Sequence, residues 1–310
     1  MKVINGWDDS NLQSKWSGDL EPIEVVADRD TFIVDIPDSS TMQIREDFND
    51  SSLKTLDSSK FDMAVGPIYV EGAELGDALE VKISKIDTAK WGWSAILRDF
   101  GLLKGKFDEK LILWNISNGF VTSARKGFLG GVTIPTRPFL GVIGTAPGSG
   151  EFPMIPPQYF GGNMDNRLVG EGSILYLPVN RKGGLVSFAD PHASQGDGEV
   201  CGTAVETSAK VTVTVRVIKH MKMRHPIIEG RDDGMDEVVV TQAFSPDLHK
   251  SAVDAVEEMI AFLGGKGFDR DEAYVLCSVA GNLRISEIVD EPNLGVSMVL
   301  PKRLLARQTT

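Results

Sequence analysis

The sequence predicts a mainly β protein of the α+β class, with a β-sandwich or barrel-like body and a small C-terminal α/β part. Segments that alternate apolar and polar residues, such as 79-LEVKISKI-86, recur between Gly, Pro, Asp and Asn turns. Clear helical periodicity is confined to residues 247–281. Strands and helices do not alternate, and no glycine-rich phosphate loop follows a strand. A nucleotide-binding α/β fold is therefore disfavoured.

The predicted strands begin near the N-terminus. Residues 22–36 are predicted to form two strands around an Asp-Arg-Asp turn, and the turn 72-GAELGD-77 joins strands over 67–71 and 79–86. Short apolar runs predict further strands over 111–116, 119–125, 139–146, 173–179, 185–190 and 209–219. We expect an N-terminal β-rich domain (1–135), a central β domain that carries the candidate site loops (136–220) and a C-terminal α+β part (221–310).

Residues 247–267 are predicted to form an amphipathic helix. Its apolar residues repeat at three- and four-residue spacing: Ala252, Val253, Val256, Met259, Ile260 and Leu263. The segment 245-SPD-247 provides an N-cap, and Gly264 and Gly265 end the helix. A shorter helix over 270–281 and strands over 283–290 and 294–300 follow. Because a soluble monomer rarely exposes such a stripe, we expect the helices to pack on the β body or at a subunit contact.

Composition restricts the partners and the compartment. The 310 residues carry a net charge of −12, so nucleic acid and anionic membrane partners are disfavoured. Cys201 and Cys277 are the only cysteines and lie far apart, which does not indicate a disulfide framework. The N-terminus lacks an apolar secretion segment, and no run reaches the length of a membrane-spanning helix. We expect a cytoplasmic protein with reduced thiols and without a nucleotide or organic cofactor.

The loop 189-ADPHASQGDGEVCG-202 concentrates groups that bind metals and transfer protons. If the preceding strand continues through His192, then Asp190 and His192 lie on the same face and can converge on one ion or water. Gly196 and Gly198 allow a ligand to approach backbone N–H groups, which can bind an oxyanion. A polar turn whose acids cap backbone groups is the alternative. The added His, Cys and Gln favour a site.

Two other segments carry candidate ligands. In 161-GGNMDN-166, Asn163 and Asp165 are two residues apart behind paired glycines, and in 35-DIPDSSTMQI-44 the acids include Asp38. A mixed set of Asp, Asn and His oxygens and nitrogens would suit Zn²⁺, Mn²⁺ or Ca²⁺. Each segment by itself is more typical of a turn.

Three blocks together resemble the acetamidase/formamidase family: 161-GGNMDN-166, 171-EGSILYLPV-179 and 190-DPHASQGDGEVCGTAVE-206. The segments 66-GPIYVEGAELGDALEVKI-83, 139-FLGVIGTAP-147 and 284-RISEIVDEPNLGVSMVLPKRL-304 extend the resemblance to about residues 60–304, with a weaker match at 38–44. It implies hydrolysis of a small aliphatic amide to a carboxylate and ammonia by a cytoplasmic homo-oligomer. Departures from the family pattern at 63-MAV-65 and 41-TMQI-44 bear on substrate choice.

These observations lead to a mechanistic hypothesis. A divalent cation, zinc or alternatively calcium, would activate water and polarise the amide carbonyl, with four candidate ligands: Asp38, Asp165, Asp190 and His192. Glu199 would act as general base, and Asp197 and Asn163 complete the catalytic set. The predicted substrate contacts are Gly162, Asn163, Gly196 and Gly198.

Two alternatives stay open. A Cys201 thiolate activated by His192 would form an acyl-enzyme, although we expect Cys201 to be a small buried residue. The second alternative is a non-enzymatic β-rich protein that binds a metal or another ligand.

Overall fold

The computed structural model describes residues 1–232 and 237–306. The strands in its first half are β1 Lys2–Asn5, β2 Leu12–Gln13, β3 Trp16–Ser17, β4 Glu24–Val26, β5 Thr31–Ile36, β6 Ala64–Val70, β7 Ala78–Thr88, β8 Trp91–Ile96, β9 Lys110–Ser117, β10 Phe120–Ser123 and β11 Ile134–Pro135. The later strands are β12 Phe139–Gly144, β13 Glu151–Phe152, β14 Gly161–Asn163, β15 Ile174–Pro178, β16 Val186–His192, β17 Ala209–Ile218, β18 Ile227–Arg231, β19 Glu237–Ser245, β20 Asn282–Glu287 and β21 Leu294–Pro301. The helices are α1 Leu248–Gly264 and α2 Arg270–Ala280. The predicted mainly β class with a C-terminal helical part is confirmed.

Two large sheets form the β body. One has nine strands in the order β1-β5-β17-β7-β15-β18-β19-β21-β20, and the other has six, β14-β12-β16-β6-β2 with β4 beside β6. The smaller sheets are β11-β10-β9-β8 and β13-β3. The two large sheets share one apolar core, in which the rings of Phe32 and Phe188 meet edge to face at 6.4 Å. The predicted domain division stays a prediction, and the nine-stranded sheet contains strands from all three of its ranges.

The alternation in β17 shows why its strand was predictable. Val211, Val213 and Val215 are fully buried, whereas the residues between them are less buried because successive side chains point to opposite faces. By contrast, every residue of β19 after its first is buried. Val240 faces the core between the sheets, and Val239 packs against the C-terminal helices. A strand buried on both faces lacks the alternation that predicts a strand from sequence, and β19 was not predicted.

Helix α1 begins where the sequence predicts. The Asp247 side chain accepts hydrogen bonds from the backbone N–H groups of His249 at 2.9 Å and Lys250 at 3.3 Å, as an N-cap does. The buried face of the helix is centred on Ala255, Met259 and Leu263. Val253 is 47% exposed in the single chain, because the helix turns its Ala255 side towards β19 and β21, and its coverage at a subunit contact stays a prediction.

The second helix carries Cys277 on its buried side, as expected for a core-packing thiol. Among the described residues, no helix is long and apolar enough to cross a membrane.

Candidate active site

Neighbouring strands of the six-stranded sheet bring the candidate residues together. β12 pairs with both β14 and β16, in a register that places Val142 opposite Asn163 and Phe139 opposite His192. A bridge between His192 and Glu206 brings a further acid to the end of β16. The chain segments around Asp165, Asp190 and Glu206 therefore meet at one end of the sheet.

His192 lies at the centre of a group of buried carboxylates and is itself only 1% exposed. Its Nε2 atom is 3.0 Å from Asp190 Oδ2, 2.9 Å from Glu206 Oε2 and 4.0 Å from Glu199 Oε1. Its Nδ1 atom is 3.8 Å from Asp165 Oδ1. Segments distant in sequence thus contribute side chains to one cluster.

The carboxylates of this cluster also line a cavity of about 270 Å³. Six of its lining residues are acidic: Asp62, Asp165, Asp190, Glu199, Glu206 and Asp290. The other lining residues are Ser39, Ser58, Phe61, Trp93, Leu97, Phe100, Ile155, Asn163, Gly202 and Thr203. No Lys or Arg is among these described residues, so the acids are not neutralised by a basic side chain in the cavity wall.

Burial and mutual repulsion make these carboxylates reluctant to ionise. Burial, followed by the neighbouring Asp190 charge, raises the pKa of Asp165 to about 7. Burial and the Glu206 charge raise the pKa of Asp190 to about 6, against the opposing effect of His192. For Glu199, burial and then the Asp165 charge raise the pKa well above its ordinary value. Burial favours neutral imidazole, but Asp190 and Glu206 outweigh it and raise the pKa of His192.

The cluster has the properties of a divalent-cation site. Several buried atoms lack a hydrogen bond within the described part of the chain: both ring nitrogens of His192, both carboxylate oxygens of Asp165 and Oδ1 of Asp190. Buried polar atoms normally have a partner, so these unpaired nitrogens and oxygens could bind a cation. Two sets have their ligand atoms within 4.8 Å of one another: Asp190, His192 and Glu206, and Asp165, His192 and Glu199. Imidazole and carboxylate are ordinary zinc ligands, so the residues fit such a cation.

The backbone at the cluster is strained. Asp165, Asp190 and Glu199 have φ values of 42°, 56° and 44°, in the left-handed region that residues with a side chain seldom adopt. Such conformations cost energy and persist where surrounding structure imposes them, often at functional sites. The fold therefore holds these three carboxylates in position against a local preference.

Gly141 on β12 gives the cluster its space. Its carbonyl accepts hydrogen bonds from the backbone N–H groups of Met164 at 3.0 Å and Asp165 at 3.2 Å. A methyl group on its Cα atom would overlap Oδ2 of Asp190 and Oδ1 of Asp165 and come within 3.1 Å of His192 Cε1. Both acids pack directly against the Gly141 Cα atom, so this position requires glycine for room.

We expect Gly141→Ala to lower kcat/KM by at least about 100-fold, because displacing catalytic groups by about 1 Å can have that effect. The overpacked site should also lose about 1–3 kcal/mol of stability. Steady-state kinetics and urea unfolding measure both changes. Gly130→Ala is the matched control, since a Cβ atom there meets open space. Wild-type kinetics in Gly141→Ala would show that the acids tolerate displacement and have no catalytic role.

The structure places Asp197 and the two loop glycines away from the cavity wall. Asp197 is exposed, and its Oδ1 accepts from Arg167 Nε at 2.7 Å. The buried Asp232 holds Arg167 at 3.2 Å and Arg284 at 2.5 Å, so Asp197 anchors the loop to a structural ion-pair network. The Gly198 N–H is not free for an oxyanion because it donates to the Ser286 carbonyl at 2.9 Å. Gly196 is exposed.

Of the other predicted residues, Asn163 lines the site cavity, whereas Asp38 and Gly162 do not. Asp38 Oδ1 accepts from Trp93 Nε1 at 3.0 Å, and Asp38 lines a neighbouring cavity instead of joining the cluster. Gly162 is buried against Trp16. Asn163 lines the site cavity: its Nδ2 donates to Asp290 Oδ2 at 2.7 Å, and its Oδ1 has no hydrogen bond within the described residues.

Three acids of the cluster escaped sequence reasoning: Asp62, Glu206 and Asp290. Glu206 follows an ordinary apolar segment, Asp62 precedes a strand, and Asp290 lies in an acidic turn. None of these local patterns indicates a site, because each depends on pairing between distant segments. The only available signal was the position of Glu206 and Asp290 inside the blocks that carry the family resemblance.

Cys201 is exposed, contrary to the expectation of a small buried residue. Its Sγ atom lies 3.6 Å from the carbonyl oxygens of Ala95 and Thr203. It is not among the residues that line the site cavity, although the following Gly202 and Thr203 are. The loop turns its backbone towards the cavity and leaves the thiol outside.

The fold and the site together identify the class of protein to which the chain belongs. The chain belongs to the acetamidase/formamidase family, whose model matches residues 5–154 and 150–307, and it is an enzyme of the amidase type. A formamidase of Methylophilus methylotrophus is similar to it, with 25% identity over 96% of this chain and 90% of the relative. The crystal structure of a predicted acetamidase/formamidase from Thermoanaerobacter tengcongensis is also similar. It is 33% identical with a TM-score of 0.86, and the match covers 98% of this chain and 96% of that one. The acetamidase of Bacillus halodurans is 30% identical with a TM-score of 0.88, over 97% and 98% of the two chains.

Proposed function

We propose that the protein hydrolyses a linear amide to a carboxylate and ammonia, with Glu199 as general base. One observation carries the proposal: Glu199 shares a buried cavity with a histidine–carboxylate cluster suited to a cation and with an unpaired amide oxygen of Asn163. These are the components of metal-assisted acyl transfer. The names of the formamidase and acetamidase relatives support the same reaction.

Within this proposal, Asp190, His192 and Glu206 hold a divalent cation, with Asp165 beside them. Their atoms are the closest set, at 3.0 Å and 2.9 Å from His192 Nε2. We favour zinc because imidazole together with carboxylate is typical of its sites. When bound, the cation supplies Lewis-acid activation of water and of the amide carbonyl.

The chain's own residues handle the protons and the orientation of the amide. Asn163 Nδ2 is held by Asp290, so its Oδ1 is available to accept from the substrate N–H₂ group. Glu199 takes the proton of the attacking water and returns it to the amide nitrogen as the C–N bond breaks, because an amine leaves poorly without a proton. One carboxyl group therefore serves both steps, as in other hydrolases that cleave amides with an activated water.

The test is ammonia release from formamide, acetamide and propionamide, with protein stripped of metal and then reloaded with zinc or calcium. Release that requires the metal supports the proposal. If no amide yields ammonia with any metal, the amidase assignment to this site is overturned, and a metal- or ligand-binding β-rich protein is the better account.

Cys201→Ser distinguishes activated water from an acyl-enzyme. We expect kcat to stay within about twofold of wild type, because the thiol lies outside the cavity lining. The measurement is the same ammonia assay, with Cys277→Ser, which changes the buried cysteine of α2, as the control. A loss beyond about 100-fold in Cys201→Ser alone would favour the covalent mechanism over general-base catalysis.

A further inference from the structure

The lining of the site cavity contains two chemically different groups of side chains. The six acids and Asn163 form the polar group, and the apolar group, called the apolar wall below, consists of Phe61, Trp93, Leu97, Phe100 and Ile155. Phe61, Leu97, Phe100 and Ile155 are all half-buried, so each presents part of its apolar surface to the cavity. The described lining residues include no Gln, Lys or Arg, so these five side chains offer dispersion and hydrophobic contact to a ligand.

The apolar wall is attached to the loop that carries the proposed base. Phe100 packs so closely on Gly202 that a Cβ atom there would lie 2.5 Å from its ring. Gly202 has a φ of 88°, a conformation that favours glycine, and the backbone N–H of Leu102 donates to the Val200 carbonyl at 3.0 Å. The ring of Phe61 stacks edge to face on Trp93 at 6.4 Å. Phe100 therefore has a fixed position relative to the loop that carries Glu199.

The size of the cavity exceeds the need of the smallest amides. Its volume is about 270 Å³. A water molecule occupies about 30 Å³ of the liquid, so formamide or acetamide, at no more than about four such volumes, would leave more than half of the space to water. Water against an apolar wall is readily displaced by apolar atoms.

We infer that the preferred substrate is a primary amide whose acyl group is an apolar body of about four to seven carbon atoms, which packs against the Phe61–Phe100 side of the cavity. The inference rests on the proposed amide hydrolysis and names its substrate class. The amide group faces Asn163, Glu199 and the His192 cluster, and the acyl group extends along the apolar wall. An acyl group that ends in a carboxylate is disfavoured, because six acids line the cavity.

The first experiment compares kcat/KM for formamide, acetamide, butyramide, hexanamide, benzamide and succinamate with the metal-loaded protein. Each buried methylene should raise kcat/KM about fourfold. Hexanamide has four methylenes more than acetamide, so it is expected to exceed acetamide by roughly 10- to 100-fold when two or three of them are buried and by about 250-fold when all four are. Succinamate should be the poorest substrate of its length. A maximum at formamide or acetamide overturns the inference while leaving the amidase proposal intact.

Variants test whether the wall itself causes the preference. Phe100→Ala should lower kcat/KM for hexanamide by roughly 10- to 100-fold and affect acetamide much less. Phe107→Ala is the matched control, since Phe107 is exposed and does not line the cavity. Leu97→Ala gives a second, smaller truncation if the Phe100 variant folds poorly. An equal loss for both amides in Phe100→Ala and Leu97→Ala contradicts a role in acyl selection.

Calorimetric binding separates this inference from the amidase proposal. In Glu199→Gln, hexanamide should bind roughly 10- to 100-fold more tightly than acetamide, and Phe100→Ala in that background should remove the difference. If no amide is turned over but this binding order holds, the proposed reaction fails and the apolar subsite stands. Equal binding of the two amides overturns the subsite, whatever the kinetics show.

Discussion

Glu199→Gln is expected to lower kcat by about 10²- to 10⁴-fold, the range associated with removing a general acid–base group. KM should change little, because glutamine has the same shape and the apolar and Asn163 contacts are retained. The protein should stay folded, with an unchanged or higher melting temperature, since the substitution removes one of six acids that crowd a buried cavity. Steady-state ammonia release and thermal unfolding measure these effects.

Two comparisons make this result specific. Glu291→Gln changes an exposed glutamate that pairs with Lys104 at 2.9 Å, and it should behave as wild type. Asp197→Asn removes an acid of the same loop as Glu199, but one that faces Arg167, so it should weaken loop anchoring without a comparable loss of kcat. A Glu199→Gln enzyme that keeps its kcat would remove the role of base from Glu199, and an Asp197→Asn enzyme that loses its kcat would assign that role to Asp197. Metal content, measured alongside, detects any ligand role of Glu199.

Elements with one exposed face could be predicted from the sequence. β17 alternates because its valines face the core between the sheets, and α1 has both an apolar stripe and an Asp247 cap. β19 could not be predicted, because it is covered by a sheet on one side and by helices on the other. The exposure of Val253 has the same origin, since periodicity gives the width of an apolar stripe but not the direction of its centre.

The residues of the candidate site likewise include some that the sequence predicts and some that it does not. Asp165, Asp190 and His192 were found because glycine-rich loops at strand ends leave a recognisable pattern. Glu206 joins them through a bridge with His192 across the fold, and Asp62 joins through its contact with the segment at Ser39, which no local pattern records. Asp197 and Gly198 had a suitable local pattern, but their hydrogen bonds are taken by Arg167 and Ser286.

Zinc binding is expected to stabilise the folded protein strongly. The cluster joins several buried acids that lack a basic partner in the cavity wall. A ligand that binds only the folded state stabilises it by about 2.7 kcal/mol at 100 times its Kd. For a chain of 310 residues we therefore expect zinc to raise the melting temperature of EDTA-treated protein by about 4 °C. Calorimetric unfolding at several zinc concentrations gives the shift without relying on activity.

His192→Ala should abolish both that shift and ammonia release, because His192 supplies the only nitrogen in either candidate ligand set. His249→Ala is the matched control, since His249 is exposed at the start of α1 and should leave the zinc response unchanged. A zinc shift that persists in His192→Ala would place the cation elsewhere. If the variant is instead much less stable even with EDTA present, then the imidazole mainly neutralises Asp190 and Glu206, and its contribution is to the fold. The two outcomes separate because a lost ligand reduces only the zinc-dependent part of the stability, whereas a lost counter-charge reduces the stability of the metal-free protein.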